Sequence, residues 1–149
     1  MTRIVQKSIT LQTGQTTEAY LEAIVQSWAD AANARDFSPA SPLWQHRAHF
    51  YQHIIAASGK TSNLSEMREN WDYIAHVHKH YTIRMVDMYN HINTDSRGMV
   101  AQVMTNTVLE GVPLGVERRN VTMITFRLVE GVWLGVFEQT LPGLDSSGP

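Results

Sequence analysis

Two carboxylates fall on largely apolar faces of strand-like runs: Glu138 near the end of the run from Trp133 to Thr140, and Asp87 in the run from Tyr81 to Asn93. A carboxyl group moved from water into an apolar pocket has its charged form disfavoured. It then holds its proton more tightly and becomes a usable acid or base near neutral pH. Alternation groups Leu134, Val136, Glu138 and Thr140 against Trp133, Gly135, Phe137 and Gln139. Both groups are apolar, so spacing alone leaves open whether Glu138 faces a pocket or pairs with Arg118, Arg119 or Arg127 on the outside. Asp87 falls with Tyr81, Ile83, Met85 and Tyr89 on the more apolar face of its strand. If that face is concave, Asp87 is a second buried acid and Tyr89 a donor to a developing oxyanion; if not, Asp87 is an edge or interface aspartate.

The chain has seven histidines, and the run from His76 to His80 holds three of them. On a helix, His76 and His80 share a face and His78 lies opposite, which is not a three-ligand zinc arrangement, so no metal is expected. His78 continues the stripe of Leu64, Met67 and Trp71, from which it could reach a pocket and shuttle protons. As a cation at a helix C-terminus it would equally suit the dipole. His46, His49 and His53 would line up only on a helix; their segment reads mainly as a strand, which leaves them at the surface or rim. Trp28, Trp71 and Met85 read as core that could also wall a rigid polycyclic ligand. No glycine-rich phosphate loop, Ser/His/Asp set or nucleophile elbow occurs, and no cofactor is expected.

Composition narrows the partners. With 12 Lys+Arg against 14 Asp+Glu and no basic run, the chain lacks the footprint of a nucleic-acid binder. Zero cysteines exclude disulfides, thiol nucleophiles and thiolate metal sites. Neither a signal-like nor a spanning apolar segment is found, so no membrane partner is expected and the cytoplasm is the default location. Asn63-Leu-Ser65 and Asn120-Val-Thr122 match the glycosylation pattern by chance on this reading. At 149 residues and 43% hydrophobic, one domain spanning 1–149 encloses a core, with 1–15 and 142–149 as frayed ends.

The elements that must position these residues follow from periodicity. Thr16 or Thr17 caps a helix running to about Arg35, with Tyr20, Ile24, Trp28 and Ala31 on its buried stripe. Ser38 to Pro42 ends it, a short helical piece covers 43–47, and a strand covers 48–57. The Gly59 to Asn63 segment closes that strand, and Ser62 or Asn63 caps a second helix over 64–80. Strands over 81–93, 97–110, 115–129 and 132–140 complete an α+β domain in which helices cover one face of a curved antiparallel sheet. Both sheet faces are rich in apolar residues, so the outer face calls for a second copy and a homodimer is expected.

This order of elements resembles the nuclear transport factor 2-like superfamily, which includes ketosteroid isomerase, scytalone dehydratase and polyketide cyclases. The resemblance is carried by Trp28-Ala-Asp-Ala-Ala-Asn-Ala-Arg-Asp-Phe37 at the end of helix one and by Val129-Glu-Gly-Val-Trp133 between the last strands. The look is nearest to scytalone dehydratase and to small fungal isomerases and cyclases of terpenoid, alkaloid and polyketide pathways. Where the dehydratase pattern has a Tyr-Asp pair, this chain has Ala32-Asn33, so the scaffold carries over and the catalytic set does not. The resemblance implies a cone-shaped sheet wrapped around the N-terminal helices with a central pocket, and it turns the Glu138 face inward. It also implies polar pocket residues at Asn33 and Arg35, although Arg35 could simply be solvated beside Asp36. The function expected is a cofactor-free isomerase or cyclase acting by proton transfer on a hydrophobic polycyclic small molecule. In it Glu138, Asp87 and His78 exchange protons, and Arg35, Asn33, Tyr89, Arg118 and Thr122 bind oxygen functions, while Trp71 and Trp28 wall the pocket. The alternative is a non-catalytic ligand-binding or protein-interaction module of the same fold, with dehydration as a chemical variant of the first reading.

Overall fold

The computed structural model describes residues 14–55 and 58–143. Helix α1 (Thr17–Asn33) starts where the Thr16 hydroxyl accepts the Ala19 N–H at 3.1 Å, and it buries Leu21, Ile24, Val25, Trp28 and Ala32 along one face. A 3-10 turn follows at Pro42–Trp44, capped by the Ser41 hydroxyl. Next come β1 (Arg47–Ile55), β2 (Lys60–Ser62) and α2 (Leu64–Val77). The start of α2 is fixed by a reciprocal capping box between Asn63 and Glu66. Four long strands complete the chain: β3 (Thr82–Asp95), β4 (Gly98–Glu110), β5 (Glu117–Val129) and β6 (Val132–Pro142).

The strands form one curved, unclosed sheet in the order β2-β1-β6-β5-β4-β3. Neighbours are antiparallel except β1 and β6, which run parallel, so the sheet is not the purely antiparallel one expected. Other departures are local. Lys60 to Ser62 is a short strand paired with His53 to Ile55 rather than a loop. Helix α2 stops at Val77 because His78 leaves helical geometry at φ −115°, ψ 77°. Pro142 belongs to β6, and the Gly143 N–H donates to the Arg119 carbonyl at 2.8 Å. The frayed-end expectation for 1–13 and 144–149, and the extension of β1 over Ala56 and Ala57, lie outside the described residues.

Two β-bulges decide which side chains face inward. The register shifts between Met85 and Asp87, leaving Val86 as the extra residue. It shifts again opposite Thr125 and Phe126, leaving Val136 as the extra residue between Gly135 and Phe137. An extra residue reverses the facing of everything after it. Trp133 and Gly135 therefore share the concave face with Glu138 and Thr140, although strict alternation puts the two pairs on opposite sides.

The concave face packs on α1. Trp28 stacks on Phe126 with ring centroids 5.6 Å apart and lies over Gly135, where a Cβ would come within 3.2 Å of the indole. Trp28 Nε1 donates to the Gln45 carbonyl at 3.0 Å, which satisfies the indole as it is buried.

Candidate functional site

Between the helices and the outer half of the concave face lies a cavity of about 230 Å³. One wall is apolar, built from Trp28, Met67, Trp71 and Ile74 on the helices and from Ile83, Met85 and Leu109 on β3 and β4. The facing wall is polar, and strand register explains why. Thr105, Thr122 and Thr140 are successive cross-strand neighbours on β4, β5 and β6. Glu138 is flanked by Ile124 of β5 and His53 of β1. Side chains opposite one another on adjacent strands share a face, so His53, Glu138 and the threonines line one surface. Asn120 and Thr107 extend it.

At the inner end of this wall is a buried charge cluster. The Arg47 guanidinium lies over the Trp28 ring at 3.7 Å and over the Tyr51 ring at 4.6 Å. Its Nε donates to the Leu43 carbonyl at 2.9 Å, and its Nη1 donates to Glu138 Oε2 at 3.3 Å. The Tyr51 hydroxyl donates a short hydrogen bond to the same carboxylate oxygen. The side chains of Arg47 and Glu138 are 3% and 14% exposed, so the pair is shielded from bulk water and its ions are held in a fixed geometry. Beside them, His53 Nε2 lies 2.7 Å from Thr140 Oγ1, which is 3.2 Å from Thr122 Oγ1.

Electrostatics corrects the expected role of Glu138. Burial pushes its pKa up, but the charges of His53 and Arg47 and the hydrogen bonds from Tyr51 and Arg47 outweigh burial, and the net shift is downward. Glu138 is thus an ionised acceptor near neutral pH rather than a proton-retaining acid. The Tyr51 phenol is pushed well above its ordinary value by burial, opposed by Arg47 and reinforced by Glu138.

Of the residues given catalytic, binding or wall roles from the sequence, Glu138, Thr122, Trp71, Trp28 and Met85 line the cavity. The others lie elsewhere. The Val86 bulge turns Asp87 and Tyr89 to the convex side, where Asp87 accepts a hydrogen bond from Asn106 and Tyr89 is 61% exposed. His78 occupies the C-cap of α2, half-buried and outside the lining. Asn33 grips β3, donating to the Ile83 carbonyl at 2.8 Å and accepting the Ile83 N–H at 2.7 Å. Arg35, at φ 56°, donates to the carbonyls of Asn33, Lys79 and Tyr81 and stacks on the Tyr81 ring at 3.9 Å. Both tie the end of α1 to the start of β3 instead of facing a ligand. Arg118 is exposed and borders an outer hollow rather than the cavity itself.

Sequence reasoning passes over Arg47 and Tyr51 and sets His53 at the surface or rim, whereas His53 lines the cavity. Arg47, Tyr51 and His53 are an even number of residues apart, as residues on one face of a strand are, but Arg47 falls in the piece expected to be helical over 43–47 whereas β1 begins with it; the available signal is the concentration of polar and aromatic residues in this strand. His46, expected at the surface, is 4% exposed; burial lowers its pKa, partly offset by a hydrogen bond to the Trp133 backbone. Among the described residues, no group of three His, Cys, Asp or Glu is placed to hold a metal ion, and no helix is long and apolar enough to cross a membrane.

Among solved structures, an NTF2-like protein of unknown function from Pseudomonas putida KT2440 superposes with a TM-score of 0.68 at 14% identity, covering 92% of each chain. The fold is NTF2-like. A proposed ketosteroid isomerase from Shewanella frigidimarina NCIMB 400 matches the NTF2-like chain with a TM-score of 0.63 at 15% identity, covering 80% of this chain and 92% of that one. ActVI-ORFA from Streptomyces coelicolor matches with a TM-score of 0.62 at 8% identity, covering 84% and 96%. No protein-family model and no curated protein matches the sequence. At these identities the likeness establishes the fold, and any activity must be argued from the site.

Proposed function

We propose that this NTF2-like protein is a cofactor-free isomerase or cyclase that moves a proton on a hydrophobic polycyclic small molecule. One observation carries the reading: an ionised Glu138, fixed by Arg47 and Tyr51, stands in register with His53 on the polar wall of a cavity whose facing wall is apolar. His53 takes a proton from a carbon next to the substrate carbonyl, and the imidazolium formed is stabilised by the Glu138 carboxylate. The negative charge that grows on the substrate oxygen is met by the hydroxyls of Thr122 and Thr140. Return of the proton from His53 to a different carbon completes an isomerisation; attack of the enolate carbon on an internal carbonyl, whose π pair moves to oxygen and takes the proton from His53, completes a cyclisation. Trp28, Trp71, Met67 and Ile83 exclude water and hold the reactive conformer. Donation of the same proton from His53 to a β-hydroxyl of the enolate, with departure of water, is the dehydratase variant of this chemistry.

The test uses 2-tetralone, an apolar bicyclic ketone with exchangeable α-protons. The protein should accelerate its deuterium exchange in D₂O, and both His53→Gln and Glu138→Gln should remove the acceleration while remaining folded. No acceleration by the wild type, or equal acceleration by both variants, overturns the mechanism. A non-catalytic binding module is the rival reading, favoured by the way Glu138 is already bonded to Tyr51 and Arg47; ligand binding with no exchange would establish it.

The setting proposed is the cytoplasm, as suits a chain without cysteine. The assembly proposed is a homodimer through the convex face, where Phe50, Val86, Tyr89 and Met104 are exposed. Sedimentation equilibrium giving the monomer mass at micromolar concentration would rule the dimer out.

A further inference from the structure

The polar wall continues past the cavity. On β5, Ile124 stands opposite Glu138, and Thr122, Asn120 and Arg118 follow at two-residue steps toward the strand's start. Arg118 is the register partner of Leu109, which lines the cavity, so its side chain leaves the sheet on the cavity's side. Asn120 and Thr140 border both the cavity and an outer hollow of about 360 Å³, whose rim holds Glu117, Arg118 and Arg119. The two spaces therefore adjoin at this pair.

Charge distinguishes the two ends. At the inner end Arg47 is neutralised by Glu138. At the rim neither Arg118 nor Arg119 forms an ion pair among the described residues, and the two outweigh the single charge of Glu117. Arg119 is the register partner of Val108, whose facing is opposite to that of Leu109, which leaves Arg118 as the cation aligned with the cavity.

We propose that the ligand is an apolar carboxylic acid, anchored by its carboxylate on Arg118 at the rim and presenting its apolar, reacting part to His53 and Glu138. This rests on the reading of the cavity as a hydrophobic small-molecule site. The six residue steps from Ile124 to Arg118 correspond to about 20 Å of strand, a span that the arginine side chain and a ligand of two rings with a short acid chain share between them. A guanidinium is suited to this task because its fork matches both carboxylate oxygens. Arg118 would thus decide which molecules bind and which end goes in first, without touching the reacting atoms.

The experiment compares 4-(1-naphthyl)butanoic acid with 4-(1-naphthyl)butan-1-ol, followed by the change in tryptophan emission at low salt. The wild type should bind the acid about tenfold more tightly than the alcohol, the effect of one charge-assisted contact. Arg118→Gln should bring the acid to the affinity of the alcohol and leave the alcohol unchanged, whereas Arg119→Gln should preserve the preference. Equal binding of acid and alcohol by the wild type, or a preference that survives Arg118→Gln, overturns the anchor while leaving the cavity reading intact. Binding of neither compound overturns the cavity reading and the anchor with it.

Discussion

Glu138 of β6 and His53 of β1 are direct register partners across the parallel pair of strands in the sheet. Because β1 and β6 are adjacent in space but lie at opposite ends of the sequence, this contact forms only when the chain has closed the long loop between them. The site is therefore a product of the completed sheet and not of any local segment. Its polar groups are set in position by strand pairing, which keeps them rigid when a ligand enters.

Removing either partner of the inner ion pair should be costly and removing both much less so. Arg47→Met or Glu138→Gln alone leaves a buried charge without its counter-ion, and each should destabilise the fold by about 3 kcal/mol. In the double variant no uncompensated charge remains, so its loss should fall well short of the sum of the singles. Urea unfolding of the four proteins measures the coupling. The acid limb should change as well. The folded pKa of Glu138 lies below its unfolded value of about 4.3, so its contribution to stability is present above that value and is lost as pH falls through the folded one. Glu138→Gln should flatten that part of the stability curve.

His46 should make the protein lose stability on mild acidification. Its pKa is lowered in the fold by burial, so below about pH 6.5 the unfolded chain binds a proton that the folded chain resists. Unfolding is then favoured as pH drops, by at most about 1.4 kcal/mol per pH unit, until the folded value is also passed. Thermal melts of wild type and His46→Gln between neutral pH and pH 5 should show a steeper decline for the wild type. Parallel declines would mean that His46 takes up its proton equally in both states.

Much of the scaffold was legible because it is written in short-range signals. Thr16 and Asn63 cap helices as their side chains dictate, and the period of Ile24, Trp28 and Ala32 gives the buried face of α1. The order of helices and strands was enough to suggest the NTF2-like fold. The site was less legible because facing depends on register. Val86 and Val136 look like ordinary strand residues, yet as bulges they send Asp87 and Tyr89 outward and bring Trp133 onto the same side as Glu138. Arg47 and Tyr51 are not singled out because Arg47 falls in a segment expected to be helical rather than at the start of β1, and His53, expected at the surface or rim, lines the cavity instead. The raised acidity threshold expected for Glu138 was wrong for a different reason: burial was legible, but the cations and the phenol that over-compensate it come from a strand more than eighty residues away.

Arg35 should prove to be a structural residue. It makes three carbonyl contacts and a ring contact that join the end of α1 to the α2–β3 connection, and charged hydrogen bonds of this kind contribute about 2 kcal/mol. Arg35→Ala should therefore lower the unfolding free energy measured in urea by that order while leaving naphthyl-ligand affinity of the folded protein unchanged. A fall in affinity without loss of stability would return Arg35 to the binding site.

Asp87 and Tyr89 give the complementary case. Both are on the convex side, so Asp87→Asn and Tyr89→Phe should leave 2-tetralone exchange at the wild-type rate. If the convex face is a dimer interface, Tyr89→Glu should instead shift sedimentation toward the monomer, because a new charge buried between two copies lacks a partner. A lost exchange activity in Asp87→Asn, with the mass unchanged, would show that the bulge does not hold this residue away from the chemistry.

Gly135 links the core to the cavity wall. Its backbone is not in the left-handed region, so an alanine meets no conformational penalty there, but its Cβ would lie 3.2 Å from the Trp28 ring and 3.3 Å from the His46 carbonyl. The carbonyl cannot retreat, since it accepts the Gly135 N–H at 2.6 Å. The indole must move instead, and it carries the Arg47 guanidinium on its face and forms part of the cavity wall. Gly135→Ala should cost about 1–3 kcal/mol through overpacking and should also weaken naphthyl-ligand binding, coupling a core substitution to the site. Unchanged binding in a destabilised Gly135→Ala protein would show that Trp28 yields toward the helix and leaves the wall in place.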